Sequence, residues 1–499
     1  MAQLISIVIV VAVLATVVVL IVTERLNRAA ASVGGALVCF FVVTCIEGKQ
    51  FSRVIEYIVG NTDDNYASIH SLFLIVGMLL IVQVCSQSGL FQFLAFNIIK
   101  LTGKNSFRLM VTINLLAIMI TAVMNNILSV MILVPLIIMI CRILDLDAKP
   151  FILTMGISVN LGAALFSISA IENILISTYV PFTFAQFFMT NGIVAMVLIL
   201  PTMILFYFIY KKSWKKIETG IEILKEFDTW TFIPNKVLMY KSLFTLLGVM
   251  AFFILIPPVV IPPDIIALIG GILLVIISRL NIAEIFEKFD AELVFYLLGI
   301  FIISGAMYDV EILGTVAASF SSISGGNVLA TTILVLWVSG YLAGVSDPAA
   351  ITRIMMPVIN HLGLGEASRS VYSALAFSTV LGDNLTAMGD NMVVVSLSKQ
   401  HNRPVTPREI MRLGFTTVQF QFALLSIYFC FTIDPAVNWL VGLLLIIIVA
   451  GFIASFIVIR YLVHLFTIKR RGGRAEKPSF KVHDKSQRRK PLTDLDYND

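Results

Sequence analysis

Charged residues are scarce in this chain: Asp, Glu, Lys and Arg together make up 13% of its 499 residues, whereas hydrophobic residues make up 59%. Soluble domains carry about 25% charged residues, and a soluble core cannot hide this much apolar surface. The scarcity of charge therefore excludes a soluble protein. The small net charge of +5 gives no indication of nucleic-acid binding, and no nucleic-acid partner is predicted.

Cysteine is also rare, and its five copies all lie in or beside apolar runs: Cys39, Cys45, Cys85, Cys141 and Cys430. No CxxC pair is present and no histidine lies at ligand spacing, so we expect small buried side chains rather than a structural metal site. The sequence has no Walker motif, so dependence on ATP would require a partner ATPase. No cofactor is predicted beyond a coupling ion.

Long apolar runs, by contrast, are frequent. Runs near 20 residues, such as 4–22 and 441–459, have the length that a helix needs to cross a hydrocarbon layer of about 30 Å. The sequence therefore predicts an all-α polytopic membrane protein. The first run lacks a basic leader segment and a second run follows it, so we expect a retained helix rather than a signal peptide.

The order of the runs predicts two repeats joined by a charged linker. Uninterrupted spans are expected at residues 3–23, 29–46, about 70–86, 191–210, about 242–257, 263–279, 291–308 and 414–431. A polar Ser/Gly-rich loop is expected at 319–327. The predicted domains are an N-terminal repeat (1–210), a cytoplasmic linker (211–241), a C-terminal repeat (242–432), one extra span (437–461) and a disordered tail (469–499).

Two apolar segments are broken by polar dipeptides at equivalent positions. In segment 107–143, Asn125 and Asn126 precede Pro135; in segment 329–359, Asp347 and Pro348 precede Pro357. Each proline lies ten positions after the first polar residue, and the two breaks lie 222 residues apart. Polar backbone at membrane depth is tolerated where it is packed in protein or lines a wet cavity. We therefore predict two re-entrant hairpins; a pair of kinked helices is the alternative.

Re-entrant hairpins also fix an orientation. Most lysines and arginines then fall on one side of the membrane, and three flank the other: Lys49, Arg53 and Arg369. By the positive-inside rule the crowded side is cytoplasmic, which places the N-terminus outside and the linker and tail inside. The two repeats then have inverted topology, with a site near the midplane, in a multi-pass protein of the plasma membrane.

A second pair of breaks follows the hairpins, at 151–178 and 371–397. The first contains Asn160, Glu172 and Asn173, and the second contains a longer polar set: Asp383, Asn384, Thr386, Asp390 and Asn391. An ionisable side chain at this depth costs at least about 2.5 kcal/mol unless it is paired or wet, so function is the default interpretation. Arg353 is predicted as a counter-ion or an anion contact, with a structural salt bridge as the alternative.

At these residues the chain resembles the ion transporter superfamily, in the branch of arsenite permeases, sodium/proton antiporters, the P protein and citrate transporter-like proteins. That family carries an Asp-Asn pair ten residues before a proline in each half, and a Gly-Gly-Asn-Gly-Thr-x-x-Gly motif that is similar to Gly382–Gly389 here. The resemblance covers roughly residues 20–460. It implies a scaffold domain that often dimerises, and hence a homodimer, with a transport domain built from hairpins and broken helices that moves across the membrane.

The chain departs from the family pattern in its charges. Asn125 stands at the first Asp of the N-terminal pair, Pro348 stands at the second Asn of the C-terminal pair, and Glu172 falls in Ser169–Asn173, where the family has Gly-Asp-Pro-Pro-Asn. Relative to the family pattern, more of the acidic residues at these breaks thus lie in the C-terminal half.

Together these features predict a secondary active transporter for a small ion, coupled to Na⁺ or H⁺. One half-site is predicted from Asn125, Asn126, Asn160, Glu172 and Asn173; the other is predicted from Asp347, Asp383, Asn384, Thr386, Asp390 and Asn391. A carboxylate in a partly dry site can exchange a proton for a cation such as Na⁺. A sodium/proton antiporter is therefore placed ahead of an arsenite or other anion exporter and a di- or tricarboxylate transporter. A membrane-embedded metal-dependent enzyme and a channel are minor alternatives.

Overall fold

A computed structural model describes residues 2–433, apart from 24, 63, 101, 103, 104, 181, 215, 216, 218–225, 227, 288, 402 and 403. The predicted extra span at 437–461 and the predicted tail at 469–499 lie outside the described residues. Within the described part, nine helices are long and apolar enough to cross a membrane. The prediction of an all-α polytopic membrane protein is confirmed.

Ten helices precede the linker region: α1 (Ala2–Val22), α2 (Arg28–Ile46), α3 (Phe51–Val59), α4 (Ala67–Gln87), α5 (Leu90–Ile99), α6 (Ser106–Thr121), α7 (Asn126–Ile143), α8 (Lys149–Ala163), α9 (Ile171–Tyr179) and α10 (Phe184–Ile209). The last turn of α2 and residues 188–192 of α10 are π-helical. Helices α6 and α7 form the first interrupted segment, and α8 and α9 form the first broken segment.

Ten more lie in the described residues after the linker region: α11 (Lys236–Leu255), α12 (Pro263–Ser278), α13 (Ile282–Glu287), α14 (Ala291–Asp309), α15 (Ile312–Ser324), α16 (Val328–Val345), α17 (Pro348–His361), α18 (Ser368–Gly382), α19 (Asp390–Gln400) and α20 (Pro407–Ile433). Helices α16 and α17 form the second interrupted segment. Helices α18 and α19 form the second broken segment, with a 3₁₀ turn at Asp383–Leu385 between them.

The seven helices from α4 to α10 and the seven from α14 to α20 follow the same order: a long helix, a shorter one, a hairpin pair, a broken pair and a long closing helix. The repeated order agrees with two repeats. The inversion of one repeat relative to the other, and the domain boundaries within the chain, stay predictions.

Close helix packing depends on small residues. Helices α4 and α12 form one of the most extensive helix contacts, and a Cβ atom at Gly77 would lie too close to the backbone of Ala267. The α2 and α14 helices pack in the same way, with Gly299 against Ser32. Small residues let helix backbones approach in membranes, where association depends on packing rather than on a hydrophobic driving force.

Two local predictions were wrong. The loop expected at 319–327 is largely helical, because α15 continues through Ser324 and ends at Gly325, which has a positive φ of 61°. Cys45 is exposed, whereas the other four cysteines are buried as expected. Cys45 lies in the π-helical end of α2, where the helix leaves the packed core.

Candidate functional site

Both hairpin tips and both broken helices meet around one cavity of about 120 Å³. Its lining includes seven residues that the sequence predicted for a site: Asn125, Asn126, Asn160, Glu172, Asp347, Asp383 and Asp390. They come from positions up to 265 residues apart, between Asn125 and Asp390. The breaks in the two halves thus contribute to a single polar cavity.

The two hairpin tips are built by the same local device. Asn125 is the N-cap of α7, and its Oδ1 accepts a hydrogen bond of 2.9 Å from the amide of Leu128. Asp347 is the N-cap of α17, and its Oδ1 accepts bonds of 2.9 and 3.1 Å from the amides of Ala349 and Ala350. Such caps satisfy backbone donors that would otherwise be left unpaired at a helix start.

Amide side chains join the two halves across the cavity. The Nδ2 of Asn126 donates to Oδ1 of Asn160 at 2.5 Å, and the Nδ2 of Asn160 donates to Oδ1 of Asn384 at 2.8 Å. Asn384 in turn donates to the carbonyl of Ile157 at 3.2 Å. Asn160 also lies 3.5 Å from Oδ2 of Asp383. This chain fixes the first hairpin tip and both broken helices relative to one another.

The four predicted carboxylates lie at two kinds of helix end. Glu172 is in the first turn of α9, Asp347 caps α17 and Asp390 is in the first turn of α19. Asp383 instead directly follows the last residue of α18. A helix N-terminus carries a partial positive charge that stabilises a carboxylate, and a helix C-terminus carries the opposite charge. Asp383 is therefore in the least favourable position for a negative charge.

Four other predicted site residues are absent from the cavity lining: Asn173, Asn384, Thr386 and Asn391. Asn173 donates to the carbonyls of Ala163 and Phe166 and so closes the break between α8 and α9. Asn391 does the same in the second half, donating to the carbonyls of Asp383 and Thr386. Asn384 accepts a hydrogen bond from Asn160, which itself lines the cavity. These residues hold the breaks in shape rather than facing the cavity.

Arg353 lies in a different place. It lines a second cavity, of about 360 Å³, with residues of α3, α14 and α17. Arg353 lies six residues after Asp347, which is about 9 Å along a helix and about 240° around it, so the two side chains point to different surroundings.

Sequence analysis missed several lining residues, among them Arg28, Asp290 and Tyr296. Arg28 begins α2 and forms ion pairs of 3.3 Å with Asp290 and with Glu292 at the start of α14. In sequence these charges lie beside predicted spans and resemble ordinary flanking residues. Only the packing of α2 on α14 brings them to the cavity.

The carboxylates do not form a metal cluster. Among the residues that the structure describes, no group of three or more His, Cys, Asp or Glu side chains is arranged to hold a metal ion. The four carboxylates have no basic partner within 4 Å in the described part of the chain. The site therefore consists of individual carboxylates that line a cavity of about 120 Å³.

Comparison with known proteins agrees with this architecture. A family model described as citrate transporter matches residues 18–382 and 250–471. An uncharacterized transporter of Mycobacterium bovis is 24% identical, over 84% of this chain and 97% of that protein. The human P protein is 22% identical, over 82% of this chain and 58% of that protein.

Among solved structures, MtrF of Neisseria gonorrhoeae, described as an antimetabolite efflux pump, superimposes with a TM-score of 0.57. The match covers 79% of this chain and 84% of MtrF at 12% identity. At this identity the likeness shows a shared fold and no more.

Proposed function

The chain belongs to the citrate transporter family and is a membrane transporter, and from this premise we propose that it is a secondary active transporter in which the carboxylate cavity binds the coupling cation, H⁺ or Na⁺. One observation carries the proposal: among the described residues, the cavity lining combines five carboxylates with a single arginine. Arg28 already pairs with Asp290 and Glu292, which leaves Glu172, Asp347, Asp383 and Asp390 without a basic partner among the described residues.

The charge balance favours a cation. Like charges in a confined, partly dry space repel, so four carboxylates are stabilised when a proton or a cation joins them. An anion entering alone would increase the repulsion. The transported species is therefore a cation, or an anion that enters together with cations.

Asp383 is the carboxylate that we expect to carry the coupling cation. The C-terminal end of α18 disfavours a negative charge there, whereas helix N-termini favour the negative charges of Glu172, Asp347 and Asp390. The side-chain amide of Asn160 lies 3.5 Å from Asp383 and can reorient when the charge of Asp383 changes. Binding at Asp383 would thus be coupled to the amide chain that joins both halves.

Two transport reactions fit this site. Exchange of Na⁺ for H⁺ needs only the carboxylates, and this is the reaction that the geometry supports best. Movement of a small carboxylate together with cations is the second candidate, and the description of the matching family favours it. An arsenite or other anion exporter would need cations to enter with its substrate. We also propose that the chain forms a homodimer and lies in the plasma membrane.

Measurements of flux into proteoliposomes test the proposed transport reactions. If the purified full chain exchanges Na⁺ for H⁺, Na⁺ added outside the vesicles should make their interior more alkaline, because H⁺ leaves as Na⁺ enters. If it moves a carboxylate with cations, labelled citrate or succinate should accumulate only under an imposed H⁺ or Na⁺ gradient. Folded, correctly inserted protein that moves none of these under any gradient would contradict the proposal.

A further inference from the structure

The second cavity lies in series with the carboxylate cavity along two shared helices. In α14, Tyr296 lines the first cavity and Ser304 lines the second. These residues are eight positions apart, or about 12 Å along a helix. In α17, Pro348 lines the first cavity and Asn360 lines the second. Under the predicted orientation the second cavity opens to the outside.

Arg353 gives this cavity a buried positive charge. The residue is 9% exposed, and no carboxylate lies within 4 Å of its guanidinium among the described residues. Its Nη2 donates to Oγ of Ser68 at 2.8 Å, and the guanidinium lies 4.7 Å from the ring centroid of Phe301. Its Nε is buried and has no hydrogen-bond partner in the described part of the protein. A buried charge is costly unless it is paired.

Two other charged residues that line this cavity, Arg53 and Glu56, are already paired. Arg53 forms ion pairs with Asp309 at 2.8 Å and Glu56 at 2.6 Å, and these hydrogen bonds raise the pKa of Arg53. The Oδ1 of Asp64 accepts a bond of 2.8 Å from the amide of Asn61. The Asp64 carboxylate also attracts Arg353, although it lies more than 4 Å from the guanidinium. Of the two arginines that line this cavity in the described residues, Arg353 is the one without an ion-pair partner within 4 Å, so a ligand anion can pair with it.

The remaining lining suits an organic anion. Four tyrosines line the cavity: Tyr57, Tyr179, Tyr308 and Tyr372. Aromatic rings offer apolar surface to a carbon skeleton, and a guanidinium donates paired N–H groups to a carboxylate. We propose that the Arg353 cavity binds a small carboxylate anion, at a site separate from the carboxylate cavity. This binding does not depend on which cation the carboxylate cavity takes.

Thermal unfolding of the purified full chain in detergent tests the proposal. Succinate or citrate, added at constant ionic strength against chloride, should raise the unfolding temperature as a ligand of the folded state does. In Arg353→Gln the half-effective concentration should rise by about tenfold or more, because the charged hydrogen bonds are lost. The Arg142→Gln variant is the matched control: it removes an exposed arginine that lines neither cavity and should leave the half-effective concentration unchanged.

Two further variants keep the test decisive if Arg353→Gln does not fold. Asn360 lines the cavity and is exposed, so Asn360→Asp should fold and weaken binding by adding a like charge, whereas Asn360→Gln should not. Asp64→Asn removes a carboxylate and should bind at least as tightly as the wild type. Weaker binding in that variant would contradict the proposal.

Hydrogen–deuterium exchange supplies a local readout. Citrate should slow exchange in peptides from α3 and the second half of α17, and leave the break at 383–389 unchanged. An Arg353→Gln curve that coincides with the wild type, or protection confined to 383–389, would overturn the assignment. Phosphate in place of citrate should give a smaller shift in the unfolding temperature, and an equal shift would contradict the assignment of a carboxylate ligand.

Discussion

The N-terminal and C-terminal halves build the carboxylate cavity from the same kinds of helix ends but with different charges. At the hairpin tips, Asn125 and Asp347 are both N-caps. At the broken helices, Asn160 faces Asp383, and Glu172 and Asp390 both lie in the first turn of a short helix. The N-terminal half contributes one carboxylate to the lining, Glu172, and the C-terminal half contributes four: Asp290, Asp347, Asp383 and Asp390.

The two halves share the geometry of their helix ends and differ in the charges that these ends carry. Asparagine and aspartate cap helices about equally well, so the geometry of a hairpin tip leaves its charge free to differ. The N-terminal half therefore keeps the shape with neutral amides that hold the halves together. The C-terminal half keeps the same shape with the carboxylates that we propose to bind cations. We expect charge changes in the C-terminal half to affect transport, and shape changes in either half to affect stability.

Asp383→Asn is expected to have the largest effect. It removes the carboxylate at the C-terminal end of α18 while keeping a side chain of the same size, so coupled flux should fall to the level of empty vesicles. The unfolding temperature should not fall, since the lost charge was unfavourably placed. Flux in proteoliposomes and thermal unfolding measure both. Wild-type flux in this variant would remove Asp383 from the coupling mechanism.

The exchange of the two caps tests the comparison directly. Asp347→Asn should abolish or uncouple transport, yet change the free energy of unfolding by less than about 0.5 kcal/mol because Asn is an equivalent cap. Asn125→Asp keeps an equivalent cap and adds a carboxylate to the cavity, so it should retain gradient-driven flux with a changed dependence on pH. Equal losses of flux in both variants would mean that the halves do not differ as proposed.

The hairpins and breaks were predictable because polar dipeptides within apolar runs leave a clear local signal. Asn125, Asp347, Asn160 and Asp383 were all found in this way. Arg28 and Asp290 were not, because they lie 262 positions apart and meet only through the packing of α2 on α14. The Arg353 cavity was missed for the same reason, since its lining comes from α3, α9, α14 and α17 together.

Glycines at the breaks provide a test of shape in both halves. A Cβ atom at Gly162 would collide with Ile118 and Thr121 of α6, and one at Gly382 would collide with the backbone of Gly340 in α16. Alanine at either position should lower the free energy of unfolding by about 1–3 kcal/mol. Gly248→Ala is the control, because nothing lies within 4 Å of a Cβ atom there. Thermal unfolding should show similar losses at Gly162 and Gly382 and none at Gly248.

Removal of the N-terminal cap should have the smallest effect. Asn125→Ala deletes the acceptor for the amide of Leu128 and should cost about 1 kcal/mol, the usual value for a lost cap. Flux should fall only as far as the folded fraction falls, because Asn125 carries no charge. Asp347→Ala removes a cap and a charge together, so it should lose the same stability and also the flux. If Asn125→Ala instead abolishes flux in stably folded protein, the N-terminal half contributes chemistry as well as shape.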